Sequence, residues 1–266
     1  VVFEECLAEY HPRMTGHSDL IKIKFMGVQE AMEGQEYLPD HMLLEHVEYF
    51  VSHPVPAAWG CLCIGEPPED LFKNNICLIF PENTDRTSLY HDVQKIFFLY
   101  NSWEMDIRKA MQRNATLEEM CNLCIPIFEK PIFIHDRNNE LLAIANEMAG
   151  QFSWQYDETF DKYYLPLEIL NTFKSSDEYH KTLHTYGAHV FSAKATGYRT
   201  LYVNLRIEWV YVGRVCLDEI GTPIRKRDYE LLEFFADNIA LAMQQGMLLV
   251  SDVSNVLSIL FKEMID

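Results

Sequence analysis

Between about Ser88 and Arg113 the apolar residues return every three or four positions: Leu89, Val93, Ile96, Phe97, Tyr100, Trp103, Ile107 and Met111. That spacing marks one face of a helix. A helix of about 25 residues is roughly twice the length usual in globular proteins. The spacing therefore predicts a connecting helix over 88–113 with a domain on either side; a homodimer is expected, with this helix one candidate for part of its seam. Thr87 or Ser88 is placed to cap its start, and Asn114 to stop it.

The 87 residues before it read as an N-terminal α/β domain, 1–87, with its strand-like and helix-like runs at about 15–85. Leu20–Met26 alternates apolar and polar and predicts a half-buried strand. Trp59–Ile64 and Ile76–Phe80 are short apolar runs that fit buried strands, punctuated by Pro67-Pro68 and Asn74-Asn75. His41–Val51 suits a helix by spacing but is compatible with a strand.

The region 114–250 has a different order. Thr116-Leu117-Glu118-Glu119 is a capping box that opens a helix to about Phe128. Pro131–His135 and Leu141–Ala145 flank the turn Asp136-Arg137-Asn138-Asn139 and predict a hairpin. An aromatic, polar insert follows, from Asn146 to Ala188. His189–Ala193, Arg199–Ile207 and Trp209–Leu217 are three more strands, and Asp228–Leu249 is a closing helix. Helix, hairpin, insert, three strands and helix make an α+β layer architecture, an antiparallel sheet with flanking helices.

Composition narrows the function. Lys and Arg number 22 against 40 Asp and Glu, a net charge of −18. Such a surface repels a phosphate backbone, so DNA contact is expected only through a domain outside this chain. No apolar run approaches the roughly 18 residues of a membrane span, and no signal peptide is legible. Seven cysteines, an odd number and mostly in apolar runs, suit a reducing cytoplasm. The start at Val1, without Met, and the end in an amphipathic stretch, Phe261–Asp266, read as cut points in a longer protein.

Pro131-Ile132-Phe133-Ile134-His135-Asp136 resembles the hairpin opening in the sensor regions of PucR-type bacterial transcription regulators. Tyr211-Val212-Gly213-Arg214-Val215-Cys216-Leu217 resembles their later strand. Arg227-Asp228-Tyr229-Glu230-Leu231-Leu232 resembles the start of their closing helix, and Val256–Phe261 the lead into their helix-turn-helix. The resemblance covers about 88–266. It implies a GAF-like, PAS-related sensor domain that binds a metabolite effector, with 251–266 beginning a linker to a DNA-binding domain missing from this chain.

In such a fold the insert walls the ligand cavity. Its aromatic residues include Trp154, Tyr163 and Tyr164, and it carries His180 and His184. They suit a small, flat or apolar ligand; the alternative is a packed roof over the core. On 199–207, Tyr202, Asn204 and Arg206 share the polar face with Thr200, and face either the cavity or solvent. Arg206 in the cavity would pair with a carboxylate or phosphate.

His180, His184 and His189 lack a metal-binding pattern, and Cys121-x-x-Cys124 lacks a second pair. No nucleophile elbow, P-loop or dinucleotide fingerprint is present. No catalytic residue, metal or cofactor is expected. Two alternatives to a sensor are a ligand-independent dimerisation module and, from another GAF resemblance, a thiol enzyme that reduces free methionine sulfoxide.

Overall fold

The computed structural model of the chain describes residues 2–16, 25–57, 59–244 and 246. The chain divides into two compact units, Val1–Ser102 and Trp103–Asp266.

The first unit runs α1 (Val2–Cys6), β1 (Arg13–Gly16), β2 (Gly27–Glu30), β3 (His41–His46), α2 (Val47–Ser52), β4 (Gly60–Ile64), α3 (Glu69–Asn74) and β5 (Ile76–Phe80), then enters α4 (Arg86–Gln112). Its sheet has the order β1-β5-β4-β3-β2. Strands β2 to β5 are parallel, and β1 adds antiparallel to β5. Both faces of β4 and β5 are buried, which is why their sequences are unbroken apolar runs. One face, with Leu62, Ile64, Leu78 and Phe80, packs with Leu89, Val93 and Phe97 of α4. The other carries Cys61, Cys63, Cys77 and Ile79 against Phe50 of α2 and Leu71 of α3.

The ambiguous stretch His41–Val51 is a strand as far as His46 and a helix from Val47. The strand expected over Leu20–Met26 lies largely outside the described residues. The cap of α4 is Asp85, not Thr87 or Ser88: its carboxylate accepts the Ser88 N–H at 2.8 Å. The stop is Asn114, which takes a left-handed φ of 56°. The Asn114 N–H donates to Met111 O and the Ala115 N–H to Ala110 O, closing the helix with a Schellman pattern.

Beyond Trp103 come α5 (Leu117–Asn122), α6 (Ile125–Phe128), β6 (Ile132–Asp136), β7 (Leu141–Ala145), β8 (Gln155–Asp157), β9 (Lys162–Tyr164), α7 (Leu167–Lys174), α8 (Asp177–Thr182), β10 (Ala188–Phe191), β11 (Thr200–Ile207), β12 (Val210–Asp218) and α9 (Lys226–Gln244). The sheet order is β10-β11-β12-β6-β7, antiparallel throughout. The unit is α+β, as its pattern implies. Thr116 and Glu119 form the capping box reciprocally, at 3.1 and 3.0 Å. The helix expected to continue to Phe128 breaks at Leu123-Cys124 and restarts as α6, where Pro126 sits in the first turn without needing a donor. The continuation of the closing helix toward Leu249, and the segment 251–266, lie outside the described residues.

Period-two alternation gives the sheet two unlike faces. Ile134, Leu201, Val203, Val215 and Leu217 are apolar and buried, and α9 lies along β11. The opposite face carries Phe133, His135, Tyr202, Arg214 and Cys216 and lies beneath the insert.

Candidate ligand-binding site

Register brings the polar face together. Arg214 lies opposite Asn204 on one side and His135 on the other; Cys216 lies opposite Tyr202 and Phe133. Above them sits a small chamber of about 40 Å³, walled by Phe133, Tyr179, Phe191, Tyr202, Arg214 and Cys216 among others. Space of that size holds about one water. Phe173 and Tyr179 stack at 4.5 Å and roof it, with Phe191 edge-on to both.

Arg214 is the charged group of this chamber. It is 4 % exposed. Its guanidinium carbon lies 4.4 Å from the Tyr202 ring centre, 5.5 Å from Tyr179 and 5.9 Å from Tyr211. Among the described residues its hydrogen bonds go to neutral oxygens, Nε to Asn204 Oδ1 at 2.9 Å and NH2 to Thr182 Oγ1 at 2.9 Å. It forms no ion pair among them. His135 is buried beside it; desolvation, and then the charge of Arg214, push its pKa down to about 3. It is neutral, with Nδ1–H donating to Asp136 O at 2.8 Å. Asp218, at the far end of the same face, accepts Thr200 Oγ1 at 2.7 Å and Gln151 Nε2 at 3.0 Å. Burial outweighs those bonds and raises its pKa to about 6.

An outer cleft of about 420 Å³ adjoins β7, lined by Leu141, Ile144, Met148, Phe152, Trp154 and Tyr163 with Glu147 and Gln151. Phe152 lines both spaces. It meets Trp154 at 5.2 Å and Phe133 at 6.3 Å.

The expected site residues are distributed unevenly over this geometry. Tyr202 walls the chamber. Trp154 and Tyr163 line the cleft, and the Trp154 Nε1 is buried without a partner among the described residues. Tyr164 is half-buried in the β8–β9 pair, opposite Gln155. Asn204 is bound into the structure, its Nδ2 donating to Thr182 O at 2.7 Å and Thr185 O at 3.1 Å. Arg206 is not in the chamber: NH2 donates to Leu183 O at 2.6 Å, just past the end of α8, and the guanidinium lies over Tyr186. A bulge between Leu205 and Arg206 shifts the register so that Arg206 faces Tyr211.

His180 and His184 are exposed, and α8 ends at Thr182, so the two do not share a helix face. Among the described residues no group of three or more His, Cys, Asp or Glu is placed to hold a metal. Cys121 and Cys124 are buried and burial pushes both thiols up, as packing residues require.

The residue that sequence reasoning missed is Arg214. The signal was present: it alternates with Val215 and Gly213 in an otherwise apolar strand, so it had to face with Cys216.

No family model matches the chain, and no curated protein matches it. Among solved structures, the chain is similar over part of its length to GAF domains. One is the cofactor-binding GAF domain of the nutrient sensor CodY from Clostridium difficile, at 12% identity and a TM-score of 0.38, covering 54% of this chain and 97% of that one. Another is the GAF domain of A. aeolicus nlh2 in an inactive state, at 12% and 0.34, covering 56% and 94%. A third is a free methionine-R-sulfoxide reductase from Neisseria meningitidis in complex with its substrate, at 12% and 0.38, covering 60% and 92%. Overlaps this loose carry nothing about function; the candidate site rests on its own geometry. No helix among the described residues is long and apolar enough to cross a membrane.

Proposed function

We propose that the chain is the ligand-sensing region of a PucR-type transcription regulator, with a small-molecule effector bound in the GAF-like unit beneath the insert 146–188. The observation that carries this reading is Arg214, a buried guanidinium on the chamber wall that has only neutral partners among the described residues. A buried charge without an opposite partner is costly in a fold that gains nothing from it. The insert is the element that responds. Thr182 and Leu183, at the end of α8, are bound directly by Arg214 and Arg206. A ligand that draws on Arg214 therefore loosens or tightens α8, and the signal passes to helices that set the spacing of two DNA-binding domains in a homodimer. Ligand and helices are coupled only if two arrangements differ in affinity.

A thermal-shift screen of the chain against a metabolite library, with a chelator control, tests the reading. A reproducible rise for one chemical class, weakened in Tyr202→Ala, is the expected result. Silence across the library, with an unchanged dimer by light scattering, rejects it. The near-filled chamber favours that second reading, a ligand-independent interaction module. A thiol enzyme is disfavoured, because Cys216 is the only cysteine on the chamber among the described residues and burial pushes its thiol up.

A further inference from the structure

The chamber and the cleft are adjacent but unequal. The chamber holds the charge and has about 40 Å³. The cleft has about 420 Å³, within the range of small-molecule sites, and sets apolar and aromatic side chains beside Glu147, Gln151 and Ser153. Only Phe152 is common to both linings among the described residues. Its side chain is half-buried, and its ring meets those of Phe133 and Trp154. Two residues before it, Gly150 has a φ of +99° and open space around it, while the chain beside it is anchored by Gln151 Nε2 donating to Asp218 at 3.0 Å and the Phe152 N–H donating to the Tyr198 hydroxyl at 3.5 Å.

The charge count on this face is small. Arg214 is the only cation lining the chamber among the described residues, and His135 stands beside it neutral. Asp218 lies four positions along the same strand, hydrogen-bonded to Thr200 on the chamber wall. A single guanidinium matches one negative charge, and Asp218 adds no positive charge to it. A phosphate dianion calls for more donors and more positive charge than this wall offers.

We infer that chamber and cleft are two halves of one site for a small monocarboxylate with an apolar body, the carboxylate bound by Arg214 and the body in the cleft, once Phe152 has swung from between them. This deepens the sensing reading and rests on it. The fork of the guanidinium fits a carboxylate edge-on, and the Tyr202 and Tyr179 rings that flank it keep water away. Trp154 lies against Phe152 and reports its movement.

The test is a matched panel: benzoate, phenylacetate and hexanoate, each against its primary amide, with phenyl phosphate as the dianion. Binding is read by thermal shift and by tryptophan fluorescence on the whole chain. The carboxylates are expected to bind and their amides not. Arg214→Met is expected to weaken the carboxylates by roughly ten- to a hundredfold, the range of a charge-assisted hydrogen bond. Arg214→Lys, which keeps the charge but not the fork, is expected to fall between. Phe152→Ala is expected to tighten them, because the side chain no longer has to be displaced; it remains informative if Arg214→Met fails to fold by circular dichroism. Equal binding of amides, tighter binding of phenyl phosphate, or indifference to both Arg214 variants overturns the inference. If the panel is silent while uncharged metabolites shift the protein, the carboxylate proposal falls and the sensor reading stands. If neither set binds, both fall.

Discussion

Lys130 and Asp228 are fully buried, 2.9 Å apart, and hold the turn before β6 to the first turn of α9. Asp228 also accepts the Arg225 N–H at 2.9 Å and so closes the helix start. A buried pair of this kind is costly to break and inexpensive to replace whole. Lys130→Met is expected to cost about 3–5 kcal/mol in urea unfolding, and Lys130→Met with Asp228→Leu to recover most of that loss. The sheet face beneath the insert carries two buried groups of opposite pH behaviour. Asp218 has its pKa raised from 3.8 to about 6, so the folded state holds the proton more tightly than the unfolded chain. Its contribution is full below the lower value and is lost as pH rises through about 6, a change of about 3 kcal/mol. His135 has its pKa lowered from 6.5 to about 3, so its contribution is present above the higher value and is lost as pH falls. The two slopes oppose each other between them. Urea unfolding from pH 4 to pH 7 is therefore expected to show Asp218→Asn gaining on the parent protein as pH rises. A difference that stays constant with pH would mean that Asp218 does not titrate in that window.

Several elements were legible because their causes are local. The capping box at Thr116 is four consecutive residues, and the Asn114 stop needs only one residue that tolerates a left-handed φ. Others depended on a competitor that periodicity does not weigh. The start of α4 went to Asp85, which reaches the Ser88 N–H better than a residue inside the helix. The helix 117–128 was interrupted by Pro126, whose ring has no donor for the continuing ladder. The hairpin between β11 and β12 is tight in a way its sequence does not announce. Glu208 and Trp209 form a two-residue turn with φ of 48° and 73°, and Trp209 is 83% exposed. Such turns favour Asn-Gly, because other L-residues are strained there. Replacing Glu208-Trp209 by Asn-Gly is expected to stabilise the protein by about 1 kcal/mol in thermal unfolding, since no buried contact is lost. A loss of stability instead would show that the Trp209 ring contributes despite its exposure.

At the scale of the molecule the net charge of −18 governs behaviour in solution. Self-repulsion opposes the compact state and is screened by salt. The Tm is expected to rise between about 10 mM and about 300 mM sodium chloride, where the Debye length falls well below the size of the protein; a flat profile would mean that the acidic residues are already neutralised by their local partners. The sequence alone determined the α+β character of the second unit, the two unlike faces of its sheet and the aromatic roof, because each follows from a period of two or of 3.6 residues read along one segment. It did not determine which cation faces the chamber. Arg206 and Arg214 sit on neighbouring strands with equal claims by alternation. The bulge at Leu205/Arg206 takes one to the end of α8 and leaves the other under the roof. Chamber and cleft are likewise a property of packing: their volumes depend on how Phe152, Phe173 and Tyr179 of the insert meet Phe133 and Tyr202 of the sheet. Those contacts join residues far apart in the chain, and only the folded arrangement decides which of them touch.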